Sequence, residues 1–110
     1  MNIPDRITTA LKDSVDLYYL EASTDKLPYV VYDYDSSPYR TKDGVYKYVA
    51  NVRIAIVADT LSEAESIDTT VHSLISAISG LKVQEGIKRP MVADNNAQVI
   101  TREYIITQYV

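Results

Sequence analysis

The sequence predicts an α+β fold: one domain over residues 1–110, with elements in the order α-β-β-β-α-β-β. The helices are expected chiefly on one face of a mixed or antiparallel sheet. Three observations predict it. Val45–Val57 carries an unbroken apolar row at Tyr46, Tyr48, Ala50, Val52, Ile54 and Ile56. It alternates with a mixed row that holds Lys47, Asn51 and Arg53, and side chains alternate faces along a strand, so this is a long strand with one face buried. Thr60-Leu61-Ser62-Glu63 then opens a helix with a capping-box pattern. Finally, 110 residues that are 46% hydrophobic and 24% charged hold enough apolar material for one core.

Residues 3–13 are expected to form a short helix, capped by Asn2 and with Pro4 in its first turn. Ile3, Ile7, Ala10 and Leu11 share one face, and three turns are marginal alone, so that face must dock on the sheet. Asp16–Ala22 fits a short strand and Ser23–Lys26 a polar turn. Leu27–Asp35 is β-branched and aromatic, which makes a strand, and Pro28 belongs at its start or on an edge. Ser36–Gly44 is turn-like, a nine-residue connection of an extended hairpin that ends in the turn dipeptide Asp43-Gly44. The second helix presents Leu61, Ala64, Ile67, Val71, Leu74, Ile75 and Ile78 as one stripe, and Gly80 is expected to stop it. Gly86 and Pro90 mark the strand within Leu81–Asp94 as bent or at an edge. Asp94–Asn96 is a turn, and Gln98–Val110 is the last strand.

Bulk properties exclude several function classes. Without cysteine there are no disulfides and no thiolate metal sites. No apolar run approaches the ~20 residues that span a bilayer. The N-terminus lacks the basic-then-apolar pattern of a signal peptide, so an intracellular product is expected. The net charge of −4 argues against general affinity for phosphate backbones. The ten tyrosines, with no Phe and no Trp, suit half-buried sheet faces and protein interfaces.

Candidate chemistry is sparse. His72 follows Asp68 by four residues, which fits either an acid/base pair or an ordinary helix contact, and the helix contact is favoured. Asp33 and Asp35 share a strand face and Asp43 follows the loop; a hard cation is one reading and a solvated hairpin end the favoured one. Arg40, Lys42 and Lys47 interleave with Tyr39, Tyr46 and Tyr48. Such interleaving occurs in single-strand nucleic-acid binding. A protein-contact tip is preferred, because Tyr46 and Tyr48 fall on the apolar face and Lys47 opposite. Lys88-Arg89-Pro90 is too short for a nucleic-acid patch. No nucleotide loop, nucleophile elbow or metal motif is present. No catalytic, metal or cofactor-binding residue is assigned. The candidate interface comprises Tyr39, Arg40, Lys42, Lys47, Asn51 and Arg53, together with Ser66, Thr69 and Ser73 on a helix face that is polar but nearly uncharged.

The chain resembles a known family. A short helix precedes Leu27-Pro28-Tyr29-Val30-Val31-Tyr32; a loop reaches Asp43-Gly44; the long strand ends Val52-Arg53-Ile54-Ala55-Ile56-Val57-Ala58-Asp59; Ser62-Glu63-Ala64-Glu65 opens a helix that turns Ile67, Val71 and Leu74 inward. In these features, over residues 3–110, it is similar to the tail-completion and tail-terminator proteins of long-tailed bacteriophages and prophages. The resemblance implies a virion component made in the bacterial cytoplasm, non-enzymatic and without cofactor. Such a subunit forms homo-oligomeric rings, often hexamers, and caps the tail tube. It meets the tail-tube and head–tail connector proteins while DNA passes the lumen unbound, and no membrane is involved. Two alternatives stand beside it. One is a regulatory or ligand-binding module on a ferredoxin-like sheet, with an apolar pocket between helix and sheet. The other is a hydrolase using Asp68 and His72.

Overall fold

The computed structural model describes residues 3–23, 26–93 and 96–109. Helix α1 spans Ile3–Leu11, and strands β1, β2 and β3 span Leu17–Tyr19, Tyr29–Thr41 and Gly44–Ala58. Helix α2 spans Leu61–Ser76, and strands β4 and β5 span Lys82–Val92 and Gln98–Tyr109. The expected α+β order is therefore the observed one. The proposed Asn2 cap, Thr24 and Asp25 of the first polar turn, Asp94 and Asn95 of the last one, and Val110 lie outside the described residues.

The five strands form one mixed sheet in the order β1-β2-β3-β5-β4. β1 runs parallel to β2, and every other neighbouring pair is antiparallel. β3 is the middle strand because both of its edges are needed: it pairs with β2 from Tyr29↔Val57 to Thr41↔Gly44 and with β5 from Lys47↔Tyr109 to Ala58↔Gln98. β4 lies at an edge, where Pro90 leaves no central ladder short of a donor. Its register slips between Glu85 and Lys88. Gly86 sits in that bulge, and a Cβ there would lie 3.1 Å from the carbonyl oxygen of Glu103.

Both helices lie on one face. Ala50, Val52, Ile54, Ile56 and Ala58 of β3, with Ile100, Tyr104 and Ile106 of β5 and Val30 and Tyr32 of β2, form the floor of the core. Ile3, Ile7 and Leu11 of α1 and Ala64, Val71 and Ile75 of α2 cover it. Each buried Ile, Leu or Val stabilises the fold by roughly 1.5–3 kcal/mol relative to exposure. The Thr60 side chain accepts from the Glu63 N–H at 3.1 Å, as the capping pattern requires. Glu63 reaches back to the N–H of Asp59, one residue before the cap, at 3.4 Å. Among the described residues, no helix covers the opposite face of the sheet.

Several expectations are corrected. Ser36–Gly44 is not a nine-residue loop: β2 runs to Thr41, and only Lys42 and Asp43 turn the chain. Gly44 follows at φ +117°, a backbone that glycine adopts without steric cost. β-branched and aromatic content cannot reveal a strand built from Ser-Ser-Pro; the cross-strand ladder to Val49 and Tyr48 holds it. The first helix ends at Leu11 rather than at residue 13, and the first strand keeps only three residues of Asp16–Ala22. Helix α2 ends at Ser76 with Ala77 as cap, so Gly80, although at φ +82°, turns the following loop rather than stopping the helix. Leu61 lies in the first turn and is exposed, outside the buried stripe. Tyr46 and Tyr48 also leave the core, at 42% and 39% exposure, because their apolar row runs beyond the helix layer.

Candidate functional site

The long hairpin places two features in continuity. The bare face of the sheet shows Asp33 and Asp35 of β2 beside Arg53 and Asn51 of β3. Cross-strand register aligns Asp33 with Arg53 and then Glu103, and Asp35 with Asn51 and then Ile105. Arg53 Nε donates to Asp33 at 2.5 Å and a second Arg53 nitrogen donates to Asp35 at 3.1 Å. Asn51 donates to the other Asp35 oxygen at 3.0 Å. The Asn51 bond first, and Arg53 next, hold the Asp35 carboxyl below its ordinary range; the bonds to Asp35 and Asp33 raise Arg53. The two aspartates thus have protein partners, and Asp43 lies apart from them at the hairpin turn. Among the described residues, no three His, Asp or Glu side chains converge as a metal site.

Around this cluster the bare face is concave. A groove of about 430 Å³ has Val31, Ala55 and Thr101 in its floor and Leu20 and Ile87 in its walls. Asp33, Arg53, Arg89 and Glu103 supply its charge. Leu20 is 64% exposed at φ +68°, in a three-residue turn closed by the Glu21 N–H on the Tyr19 carbonyl at 2.8 Å. A leucine is strained in that region, and here it stands at the groove's edge rather than in the core. A smaller groove farther along the same face has Asn51, Gly86 and Ile105 in its lining.

Beyond the helices the hairpin continues to its tip. Between Tyr39 and Arg40 the register slips, Tyr39 facing Lys47 and Arg40 facing Val45, so Tyr46 is the extra residue of a bulge. A bulge breaks the alternation from which a core-facing Tyr46 was expected. Lys47 Nζ sits 4.8 Å from the Tyr39 ring centroid and 5.6 Å from that of Tyr46. The tip therefore presents a cation held among exposed aromatic rings.

Tyr39, Lys47, Asn51 and Arg53 share the bare face of the hairpin, whereas Arg40, next to Tyr39 along β2, faces the other side and Lys42 lies in the turn. Ser66, Thr69 and Ser73 are exposed on the outer side of α2, across the sheet from the bare face. Thr69 donates to the Glu65 carbonyl and Thr70 to the Ser66 carbonyl, so part of this hydroxyl face is satisfied within the helix.

Asp68 and His72 form neither the acid/base pair nor the favoured i, i+4 contact, because each is held by other partners. Asp68 is 2% exposed and accepts from Arg102 Nε at 2.9 Å and from a second Arg102 nitrogen at 2.7 Å. Lys88 lies 3.2 Å away and also pairs with Glu65. His72 instead meets Glu85 at 3.1 Å and the Tyr104 hydroxyl at 3.3 Å. This ionic network joins α2 to β4 and β5. Its sequence signals were a carboxylate inside an apolar helical stripe and an arginine between Ile100 and Tyr104 on a core-facing strand row.

No family model matches the chain, and no curated protein matches its sequence. No helix among the described residues is long and apolar enough to cross a membrane.

Proposed function

We propose that this chain is a ring-forming structural subunit of a bacteriophage or prophage tail, of the tail-completion or tail-terminator kind. The observation that carries the proposal is the order and length of the elements, α-β-β-β-α-β-β, with a long central hairpin on a sheet whose second face is bare. A ring subunit needs two unlike surfaces, because head-to-tail association is heterologous. The bare face with its hairpin tip and the Ser/Thr side of α2 supply two such surfaces on opposite sides. On this reading the partners are further copies of the chain, the tail tube and the head–tail connector. Chemistry plays no part, and the acidic subunit lets DNA pass unbound.

The test is light scattering after size exclusion, with negative-stain microscopy, alone and with the tail-tube protein of the same phage or prophage. Rings, free or on tube ends, are the expected result. A strict monomer at high concentration that ignores the tube protein overturns the reading. The ligand-module alternative requires a pocket between helices and sheet. Both described grooves lie on the other face, and the core side chains beneath the helices are nearly fully buried. A thermal shift with a metabolite panel would favour that alternative.

A further inference from the structure

The sheet ends in two long edges. β1 reaches along β2 only to Tyr32, so among the described residues no strand pairs with the outer side of β2 from Asp33 to Thr41. β4 closes the other side of the sheet, and among the described residues its outer side is equally open. Ile87, Met91 and Val92 of β4 are each more than half exposed. A long edge strand with exposed apolar side chains is a template on which another molecule can add a strand.

Register decides which backbone groups these edges present. The Val30 N–H donates to the Asp16 carbonyl and the Leu20 N–H to the Tyr32 carbonyl, so the even residues of β2 turn their backbone groups outward. That alternation holds as far as Tyr39, where the register first slips. Tyr34, Ser36 and Pro38 therefore face the open edge, and at Pro38 the outward donor is missing. The same alternation carries across the sheet. Odd residues of β3 bond to β2, even residues of β3 bond to even residues of β5, and odd residues of β5 bond to β4. Arg89 and Met91 of β4 thus bond to Thr101 and Val99, and Pro90, opposite Ile100, turns outward. Both prolines are exposed. Each open edge carries one proline, placed where the absent N–H faces solvent. A bulge lies beside each: one between Tyr39 and Arg40, the other between Glu85 and Lys88.

We propose that Pro38 and Pro90 close the two edges of the sheet to strand addition by further copies of this chain. A strand approaching either edge finds a pyrrolidine ring in place of a ladder donor, and the neighbouring bulge interrupts the regular run. The inference stands apart from the ring-subunit reading: copies that do associate use surfaces other than their strand edges.

Returning the N–H tests it. Pro38→Thr and Pro90→Thr, singly and together, restore a donor without adding a large apolar side chain. Circular dichroism melting checks that each variant keeps its fold. Light scattering over a range of concentrations follows association, and hydrogen exchange reads the amides introduced at positions 38 and 90. The double variant is expected to associate at concentrations about tenfold lower than the wild type, into larger species, because two open edges add without closing. The introduced amides are expected to exchange fast in the dilute chain and to be protected in the associated one. Folded variants that associate as the wild type does overturn the inference, since the prolines are then merely tolerated at the edges. Association that leaves those amides unprotected overturns it too. Loss of the fold in both single variants does the same, because the prolines then serve the fold itself. A wild-type chain that stays monomeric even with the tail-tube protein, beside variants that associate, supports the inference and removes the ring-subunit reading.

Discussion

Asp68 shows how one side chain ties the helical layer to the sheet. Its carboxylate is buried and takes both forks of Arg102, with Lys88 alongside. Removing it leaves the Arg102 guanidinium, 13% exposed, with only the exposed Glu85 carboxylate at 2.8 Å as partner, so Asp68→Ala is expected to cost about 3 kcal/mol in urea unfolding. The double change Asp68→Leu with Arg102→Met is expected to recover most of that loss, because it leaves neither charge of the pair behind. Tyr104 sets a second limit. Burial pushes its hydroxyl from the ordinary value of 10 up to about 12, and its ring is fully buried. A raised folded value favours the neutral form, so the stability it contributes is complete below about pH 10. That stability, about 2–3 kcal/mol, is lost as pH rises through about 12. Chemical unfolding between about pH 9 and about pH 12 should show this slope, and Tyr104→Phe should remove it. Neither role could be read from residue identity. Asp68 looked like a partner for His72 because i, i+4 spacing is local, whereas Arg102 reaches it from 34 residues away.

The β2–β3 hairpin is the element that the sequence described least well. Its core half was legible, since Val30, Tyr32, Ala50, Val52, Ile54 and Ile56 alternate as buried strands do. Its outer half was not, because Ser36-Ser37-Pro38 has turn composition and is extended only through its ladder to β3. Ala50 is the last fully buried residue of β3 toward the tip, so pairing beyond it contributes little to the core. Replacing residues 38–48 by a two-residue Asn-Gly turn between Ser37 and Val49 is therefore expected to keep the melting temperature within a few degrees. On the proposed ring reading, the shortened chain is also expected to lose self-association. A cut through Pro38–Lys42 alone would remove one strand of the ladder and strand its partner, so it is the poorer experiment.

The molecule measures 51 × 24 × 24 Å, with a Cα radius of gyration of 14.8 Å. A compact chain of this length has a radius of about 13 Å. The hairpin reaching past the helices accounts for the excess. Small-angle scattering of the dilute chain should therefore report an elongated particle, and the shortened hairpin variant should fall close to the compact value. An elongated subunit with a two-helix layer on one side and a bare sheet on the other is suited to side-by-side packing, where each copy offers a different surface to each neighbour.

The sequence by itself determined the order of the elements, the centrality of Val45–Val57, the capped second helix and that the Gly86–Pro90 strand is bent or at an edge. Each follows from local chemistry: side-chain periodicity, a capping hydroxyl, a residue without an N–H. Only the tertiary structure decided where the helix layer ends along the sheet, and therefore that Tyr46 and Tyr48 are exposed rather than buried. It also decided that Asp33 and Asp35 belong to Arg53, and Asp68 to Arg102. Those outcomes depend on register and on contacts between residues far apart in the chain. An apolar row looks the same in sequence whether or not another layer covers it.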